Sequence, residues 1–156
     1  MDKDYLTSSN KRYLTGKCIK IIDGDTLDIL SNGNVHRVRL LGIDTPEKGQ
    51  RMGKEAEVFL KKMISQGEGV GIEVSERGYY NRMLGEAYVI GNTNRNRAIN
   101  INKSMVMAGL AWLDENMNSK EYKEAEKYAQ YNKLGIYSLE NPIEPNKFRK
   151  KRKFKK

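Results

Sequence analysis

The chain has 156 residues, a length that suits one domain around one hydrophobic core. It contains one cysteine and one histidine, so an internal disulfide and a histidine-based metal cluster are both excluded. The formal net charge is +9, and no apolar run reaches the about 18 residues of a membrane span, so we expect no membrane partner.

The N-terminal residues, MDKDYLTSSNKRYLTG, lack the apolar stretch and the small-residue cleavage site of a secretory signal. We therefore expect a cytoplasmic protein, or a secreted one if a leader has been removed. Residues 1–15 are assigned to an N-terminal arm. We expect the protein to be a monomer.

Three strands are predicted at the start of the folded domain. Residues 17–22 and 26–30 are β-branched or leucine-rich and are separated by a turn with the sequence DGD. Asn32 and Gly33, placed between apolar runs, form the strongest short-range hairpin signal in the chain. A third strand follows over residues 35–42.

The next elements define the fold class. A predicted helix has apolar residues at helical spacing, namely Ala56, Phe59, Leu60, Met63 and Ile64. In chain order, the predicted elements are this helix over 53–64, strands over 70–75 and 83–90, and helices over 101–109 and 118–133. This order is typical of an α+β, mainly β fold: a five-stranded Greek-key barrel of the oligonucleotide/oligosaccharide-binding type (OB-fold) with about three helices.

The hairpin places two carboxylates together. With a two-residue turn at Asn32 and Gly33, Asp25 faces Leu40 and Thr26 faces Arg39. Asp44 then falls just beyond the paired residues, at the same end of the hairpin as Asp25. Alternation along the strand turns Arg39 away from the core and toward whatever binds beside the carboxylates.

This arrangement suits phosphate chemistry. Two carboxylates with loop carbonyls and water form an oxygen site for calcium or magnesium. Glu47 is a third carboxylate in reach, able to orient or deprotonate a water. Arg39 and Arg82, the second of which follows Tyr80 closely, are candidates to stabilise charge on phosphate oxygens.

Each of these features also has a simpler explanation. The DGD segment alone is more often a tight turn, and Asp44 with Thr45 and Pro46 is more often an Asx-type loop. Arg39 could pair with a surface acid. Their occurrence together, in this order, favours a site.

The C-terminal residues carry most of the net charge. The segment KFRKKRKFKK, residues 147–156, holds eight basic residues and no acid. Such a block repels itself and cannot bury apolar surface, so we assign 139–156 to a disordered basic tail. Lys150, Lys151 and Arg152 are predicted to contact nucleic-acid phosphates, with a mere solubility or targeting tail as the alternative.

Four ordered segments carry a resemblance to a known family: IDGDTLDI (22–29), VRLLGIDTPE (38–47), YYNRMLGEAYV (79–89) and INKSMVMAGLAWL (101–113). They resemble the successive signature blocks of the staphylococcal nuclease, or thermonuclease, family. The similarity spans residues 16–138, which we assign to the folded domain.

The resemblance implies a function and a set of residue roles. It implies a calcium-dependent nuclease that hydrolyses phosphodiester bonds of DNA and RNA with little sequence preference and leaves 3′-phosphate ends. Asp25, Asp44 and the Thr45 carbonyl would hold one Ca²⁺, and Glu47 would position or activate water. The roles implied for the other three residues are phosphate binding and stabilisation by Arg39 and Arg82, and contact with a substrate phosphate by Tyr80.

The chain departs from the family's type enzyme after Trp112 and Leu113. The next residues are DENM, where the type enzyme carries two tyrosines that flank the nucleotide base. Trp112 could replace them as a stacking surface or could only fill the core or its rim. The main alternative to an enzyme is a catalytically inactive barrel that binds nucleic acid, but such a module should have lost one or more of the site residues.

Overall fold

A computed structural model describes residues 5–6, 12–77, 83–91 and 98–154, with side chains described over 12–75, 83–91 and 98–151. The strands are β1 (Tyr5–Leu6), β2 (Arg12–Asp23), β3 (Thr26–Ser31), β4 (Asn34–Leu40), β5 (Ile43–Asp44), β6 (Gly69–Arg77), β7 (Met83–Ile90), β8 (Ile99–Asn100) and β9 (Trp112–Leu113). The helices are α1 (Gly53–Ser65), α2 (Ile101–Met107), α3 (Lys120–Tyr131), a 3-10 turn (Gly135–Ser138) and α4 (Pro145–Phe154).

Five strands close into a barrel. The order is β2-β3-β4-β7-β6, and pairing of β2 with β6 completes the ring. All neighbours are antiparallel except β4 and β7, which run parallel. This mixed barrel with helices confirms the predicted OB-fold class, although the described chain holds four α-helices rather than about three.

The hairpin of β3 and β4 has the predicted register. Asn32 and Gly33 have φ angles of 51° and 81°, as a type I′ turn requires at both central residues. Thr26 lies opposite Arg39, and the N–H of Leu40 donates to the carbonyl of Asp25 at 2.8 Å. The carboxylate side chains therefore meet at one mouth of the barrel.

Strand β2 is long because it pairs with two other strands of the barrel, and it also pairs with the short β1. Its first part pairs with β6 from Arg12 onward, and its second part pairs with β3 from Lys17 onward. A Cβ on Gly16 would lie 2.2 Å from the Leu30 carbonyl oxygen, so the crossing between the two neighbours needs glycine. Residues 12–15, assigned to an N-terminal arm from sequence, are thus part of the barrel.

The core lies inside the barrel and under the helices. Leu27, Val38 and Leu40 point inward with no exposed surface. Helix α1 buries Ala56, Leu60 and Met63 against the barrel. Helix α3 buries Tyr122, Ala125 and Ala129 on one face, as its spacing predicts.

The basic segment at the C-terminus differs from expectation, because Pro145–Phe154 is helical rather than disordered. Pro145 is buried and occupies the first helical position, where its fixed φ suits a helix and no N–H is needed. The Glu144 carbonyl accepts from the N–H groups of Lys147 and Phe148. Arg149 of this helix forms an ion pair with Glu47 in the loop before α1, a contact that charge density alone does not predict.

No helix in the described ranges is both long enough and apolar enough to cross a bilayer.

Candidate active site

Asp25 is the most buried acid of the site, with 6% of its surface exposed. Its two carboxylate oxygens are held separately. Oδ1 accepts from the Thr26 hydroxyl at 3.0 Å, and Oδ2 accepts from the Thr45 N–H at 3.1 Å. The same Oδ2 lies 3.4 Å from Arg39 Nη2. This network fixes the carboxylate in one orientation.

Arg39 joins the two aspartates. Its Nη1 donates to the backbone carbonyls of Leu40 at 2.7 Å and Ile43 at 2.8 Å. Its Nη2 lies 3.4 Å from Asp44 Oδ1 as well as from Asp25. Since 21% of the Arg39 side chain is exposed, the guanidinium is fixed by the protein on one side and open to solvent on the other.

The turn before β3 adds an acid that sequence reasoning missed. Asp23 Oδ1 accepts from the N–H of Asp25 at 3.1 Å. A Cβ on Gly24 would lie 2.9 Å from both Ala56 Cβ and Thr45 Oγ1, so glycine lets this turn pack tightly against α1 and the Thr45 loop. The DGD segment is therefore a turn that also delivers two carboxylates to the site.

The three aspartates have different pKa values because their surroundings differ. Burial, followed by the hydrogen bond and charge of Asp25, raises the pKa of Asp23 to about 7. Burial also raises the pKa of Asp25, but Arg39 and hydrogen bonds from Asp23, Thr45 and Thr26 outweigh it, and the pKa falls below its usual range. Below neutral pH, this pair thus keeps its negative charge on Asp25.

The surroundings of Asp44 disfavour its charged form, unlike those of Asp25. Burial raises its pKa to about 6, although Arg39 and Arg149 act to lower it, and the charges of Asp25 and Glu47 act to raise it further. Its side chain keeps 33% of its surface exposed. Among the described residues, Asp44 accepts from Arg39 Nη2 at 3.4 Å, whereas Asp25 also accepts from Thr26 and Thr45.

The donor set fits a hard cation such as calcium. Asp25 Oδ2 and Asp44 Oδ1 each lie 3.4 Å from Arg39 Nη2, so the two oxygens are at most twice that distance apart. Thr45 Oγ1 is buried and has no hydrogen-bond partner among the described residues. Within those residues, no three side chains of the types His, Cys, Asp and Glu cluster closely enough to hold an ion by themselves, so a cation would also depend on Thr45 and water.

The comparisons with known proteins agree with this fold. The family model described as Staphylococcal nuclease homologue matches residues 37–139. The chain belongs to the staphylococcal nuclease family. This membership confirms the resemblance inferred from the ordered sequence segments.

Three relatives illustrate the similarity. The chain is 36% identical to a micrococcal nuclease of Shigella flexneri, covering 86% of this chain and 80% of the relative. It is 33% identical to an uncharacterized endonuclease of Haemophilus influenzae (95% and 80% covered) and 31% identical to one of Escherichia coli O157:H7 (83% and 81% covered). These relatives support a nuclease function.

Glu47, which the family resemblance links to water, lies in the loop between β5 and α1. Its N–H donates to Gln50 Oε1 at 2.9 Å, and its carbonyl accepts from the Gln50 N–H at 3.0 Å. Its carboxylate Oε1 accepts a hydrogen bond from Arg149 Nη1 of α4. Sequence reasoning did not find this partner, because the two residues lie 102 positions apart.

Asn102 is a second residue that sequence reasoning missed. It is fully buried, and its Nδ2 donates to the carbonyls of Leu41 at 3.0 Å and Gly85 at 3.2 Å. Its Oδ1 accepts from the Ala87 N–H at 2.9 Å. Asn102 therefore links α2 to strand β7 and to the turn at Leu41, which follows Arg39 closely in the chain.

A groove of about 350 Å³ opens beside the site. Arg39 and Asp44 line one end, and Pro145 at the start of α4 lines another part. Trp112 pairs with Asp44 across β5 and β9, is partly exposed and also lines the groove. Its position is compatible with stacking as well as with rim packing.

The remaining predicted site residues divide into two groups. Lys150 and Lys151 are exposed on α4. Tyr80 and Arg82 lie outside the described residues, and the side chain of Arg152 lies outside the part of the chain with described side chains.

Proposed function

We propose that this protein is a Ca²⁺-dependent endonuclease that hydrolyses phosphodiester bonds of DNA and RNA with low sequence specificity and leaves 3′-phosphate ends. The observation that carries the proposal is the convergence of Asp25 and Asp44 on one guanidinium nitrogen of Arg39. Membership of a nuclease family supports the same reaction class.

Asp25, Asp44 and Thr45 are the proposed calcium ligands. Asp25 contributes a carboxylate whose charged form is favoured, since its pKa lies below the usual range after Arg39 and three hydrogen bonds have offset burial. Thr45 contributes its backbone carbonyl, with its unpartnered hydroxyl close by. When bound, Ca²⁺ would supply positive charge to a phosphate oxygen and orient the attacking water.

Arg39 is the proposed phosphate-stabilising residue within the described site. Its Nη1 is anchored to two carbonyls, so the guanidinium is held in place before substrate arrives. Fixed donors stabilise developing negative charge at little reorganisation cost. Arg82 is proposed to act with it, and Tyr80 to contact the phosphate.

Glu47 is the proposed orienter or base for the attacking water. One of its oxygens accepts from Arg149, and 25% of its side chain is exposed. The loop bonds to Gln50 set its backbone position. Helix α4, with Lys150, Lys151 and Arg152, is proposed to bind neighbouring phosphates of the strand.

The test is degradation of single-stranded DNA and of RNA with calcium, with EGTA and with magnesium. We expect cleavage only with calcium, and a loss of about a hundredfold or more in rate for Glu47→Ser. The exposed Glu55→Ser on α1 is the matched control and should retain activity. Mass spectrometry of the products should show 3′-phosphate ends.

Other results would revise the proposal. Binding of nucleic acid without cleavage under every metal would indicate an inactive OB-fold binding module. Activity with magnesium alone would refute the calcium assignment. Calorimetry provides a readout independent of turnover, because Asp25→Asn should abolish calcium binding.

A further inference from the structure

Two contacts attach the C-terminal segment to the loop that carries Glu47. Arg149 Nη1 of α4 donates to Glu47 Oε1. Just before α4, the carbonyl of Ile143 accepts from Gln50 Nε2, and Gln50 itself bonds the Glu47 backbone in both directions. The C-terminal segment therefore contacts both the side chain and the supporting loop of the proposed water-orienting residue.

The bond from Arg149 occupies an oxygen of the Glu47 carboxylate, the group proposed to orient the attacking water. A carboxylate oxygen that accepts from a guanidinium has fewer lone pairs to offer a water. Helix α4 also reaches the proposed ligands, because Pro145 at its start lines the same groove as Arg39 and Asp44. Among the described residues, the helix thus adds a second arginine, Arg149, near the site that holds Arg39.

The ion pair is suited to exchange rather than to permanent structure. The Arg149 side chain is 44% exposed and that of Glu47 is 25% exposed, and ion pairs of this exposure contribute little to stability. Arginine binds phosphate through the same planar, two-pronged geometry that it uses for a carboxylate. A phosphate of a bound strand is therefore a direct competitor for Arg149.

The rest of α4 adds exposed positive charge that attracts a nucleic-acid strand. Lys147, Lys150 and Lys151 are exposed on the same helix. In the part of the helix with described side chains, residues 145–151, no acid is present. A strand that passes along this helix would bring its phosphates near Arg149.

We propose that Arg149 is exchanged between Glu47 in the free protein and a backbone phosphate of the bound nucleic acid. The exchange releases Glu47 when a strand long enough to reach α4 is present, and it adds one phosphate contact to binding. The nucleic-acid side of this proposal rests on the proposed function, but it requires binding only and no turnover.

The experiment is a double-mutant cycle on binding in EGTA, where no cleavage is expected. The probe is a fluorescein-labelled single-stranded DNA of about 15 nucleotides, the upper range of OB-fold sites, and fluorescence anisotropy at one fixed low salt concentration gives Kd. The variants are Glu47→Gln, Arg149→Gln and the double substitution. Thermal melts establish that each variant is folded.

The exchange predicts non-additive effects. Arg149→Gln should weaken binding about threefold, as expected for one lost phosphate contact. Glu47→Gln should tighten binding about threefold or more, because it frees Arg149 for phosphate. In the Arg149→Gln background, the same Glu47→Gln change should alter Kd by less than about twofold.

A matched control separates exchange from simple loss of negative charge. Lys150→Gln removes the same charge from the next residue of α4, and in that background Glu47→Gln should still tighten binding. Equal tightening with and without Arg149 would overturn the proposal, as would unchanged affinity in either single variant. The two proposals can fail separately. If the variants change Kd as expected in EGTA but the wild type cleaves no nucleic acid with any metal, the nuclease function is refuted and the exchange stands.

Discussion

Asp44→Asn is expected to stabilise the folded protein in the absence of calcium. Burial raises the pKa of Asp44 from an ordinary 3.8 to about 6 despite the nearby Arg39. The substitution keeps the size of the side chain and removes the charge that burial disfavours. Arg39 would still bond the carbonyls of Leu40 and Ile43 and face Asp25, so it is not left unpaired.

The sign and size of this effect follow from proton linkage. Between the two pKa values the folded state holds a proton that the unfolded state has released, so stability falls as pH rises from about 4 to about 7. At 1.36 kcal/mol for each pKa unit, the difference corresponds to at most about 3 kcal/mol. Because a third of the side chain is exposed, screening reduces the expected gain at neutral pH to about 1–2 kcal/mol.

The assay is urea unfolding in EGTA at about pH 5 and about pH 8, followed by the fluorescence of Trp112. Asp44→Asn should exceed wild type at the higher pH and approach it at the lower pH. The exposed Glu140→Gln is the control for a general change in net charge. The reasoning is refuted if Asp44→Asn is less stable than wild type at about pH 8, or if the control gains as much.

Three further predictions each concern one residue. Arg39→Lys cannot reproduce bonds to two carbonyls and two carboxylates, and should lower the cleavage rate about a hundredfold in steady-state assays; full activity would contradict its role. Asn102→Ala leaves the Ala87 N–H and the Leu41 carbonyl without their side-chain partner, while the Gly85 carbonyl keeps the Leu41 N–H, and should cost about 1–3 kcal/mol in urea unfolding. Gly33→Ala forces alanine into a φ of 81°, and should lower stability by about 1 kcal/mol, measured by thermal melts.

The barrel could be predicted from sequence because its decisive signals are local. The turn at Asn32 and Gly33 fixes the register of β3 and β4 without reference to the rest of the chain. That register brings Asp25 to the mouth where β4 ends, and Asp44 follows shortly after β4. The amphipathic spacing of α1 is a local signal of the same kind.

The parts of the site that sequence reasoning missed depend on tertiary packing. The raised pKa of Asp23 follows from its burial and its contact with Asp25, and neither is visible in a turn motif. Helix α4 carries a charge pattern typical of disorder, yet Pro145 is buried and Arg149 meets Glu47. Only the folded chain brings those residues together.

The energetics of the site favour a functional explanation over a structural one. Burial raises the pKa values of Asp23 to about 7 and Asp44 to about 6, so their charged forms oppose folding. The Thr45 hydroxyl is buried without a partner in the described chain, which is also unfavourable. Unfavourable groups concentrated at one mouth of a stable barrel are expected where a positively charged ligand binds, because such a ligand would satisfy them together.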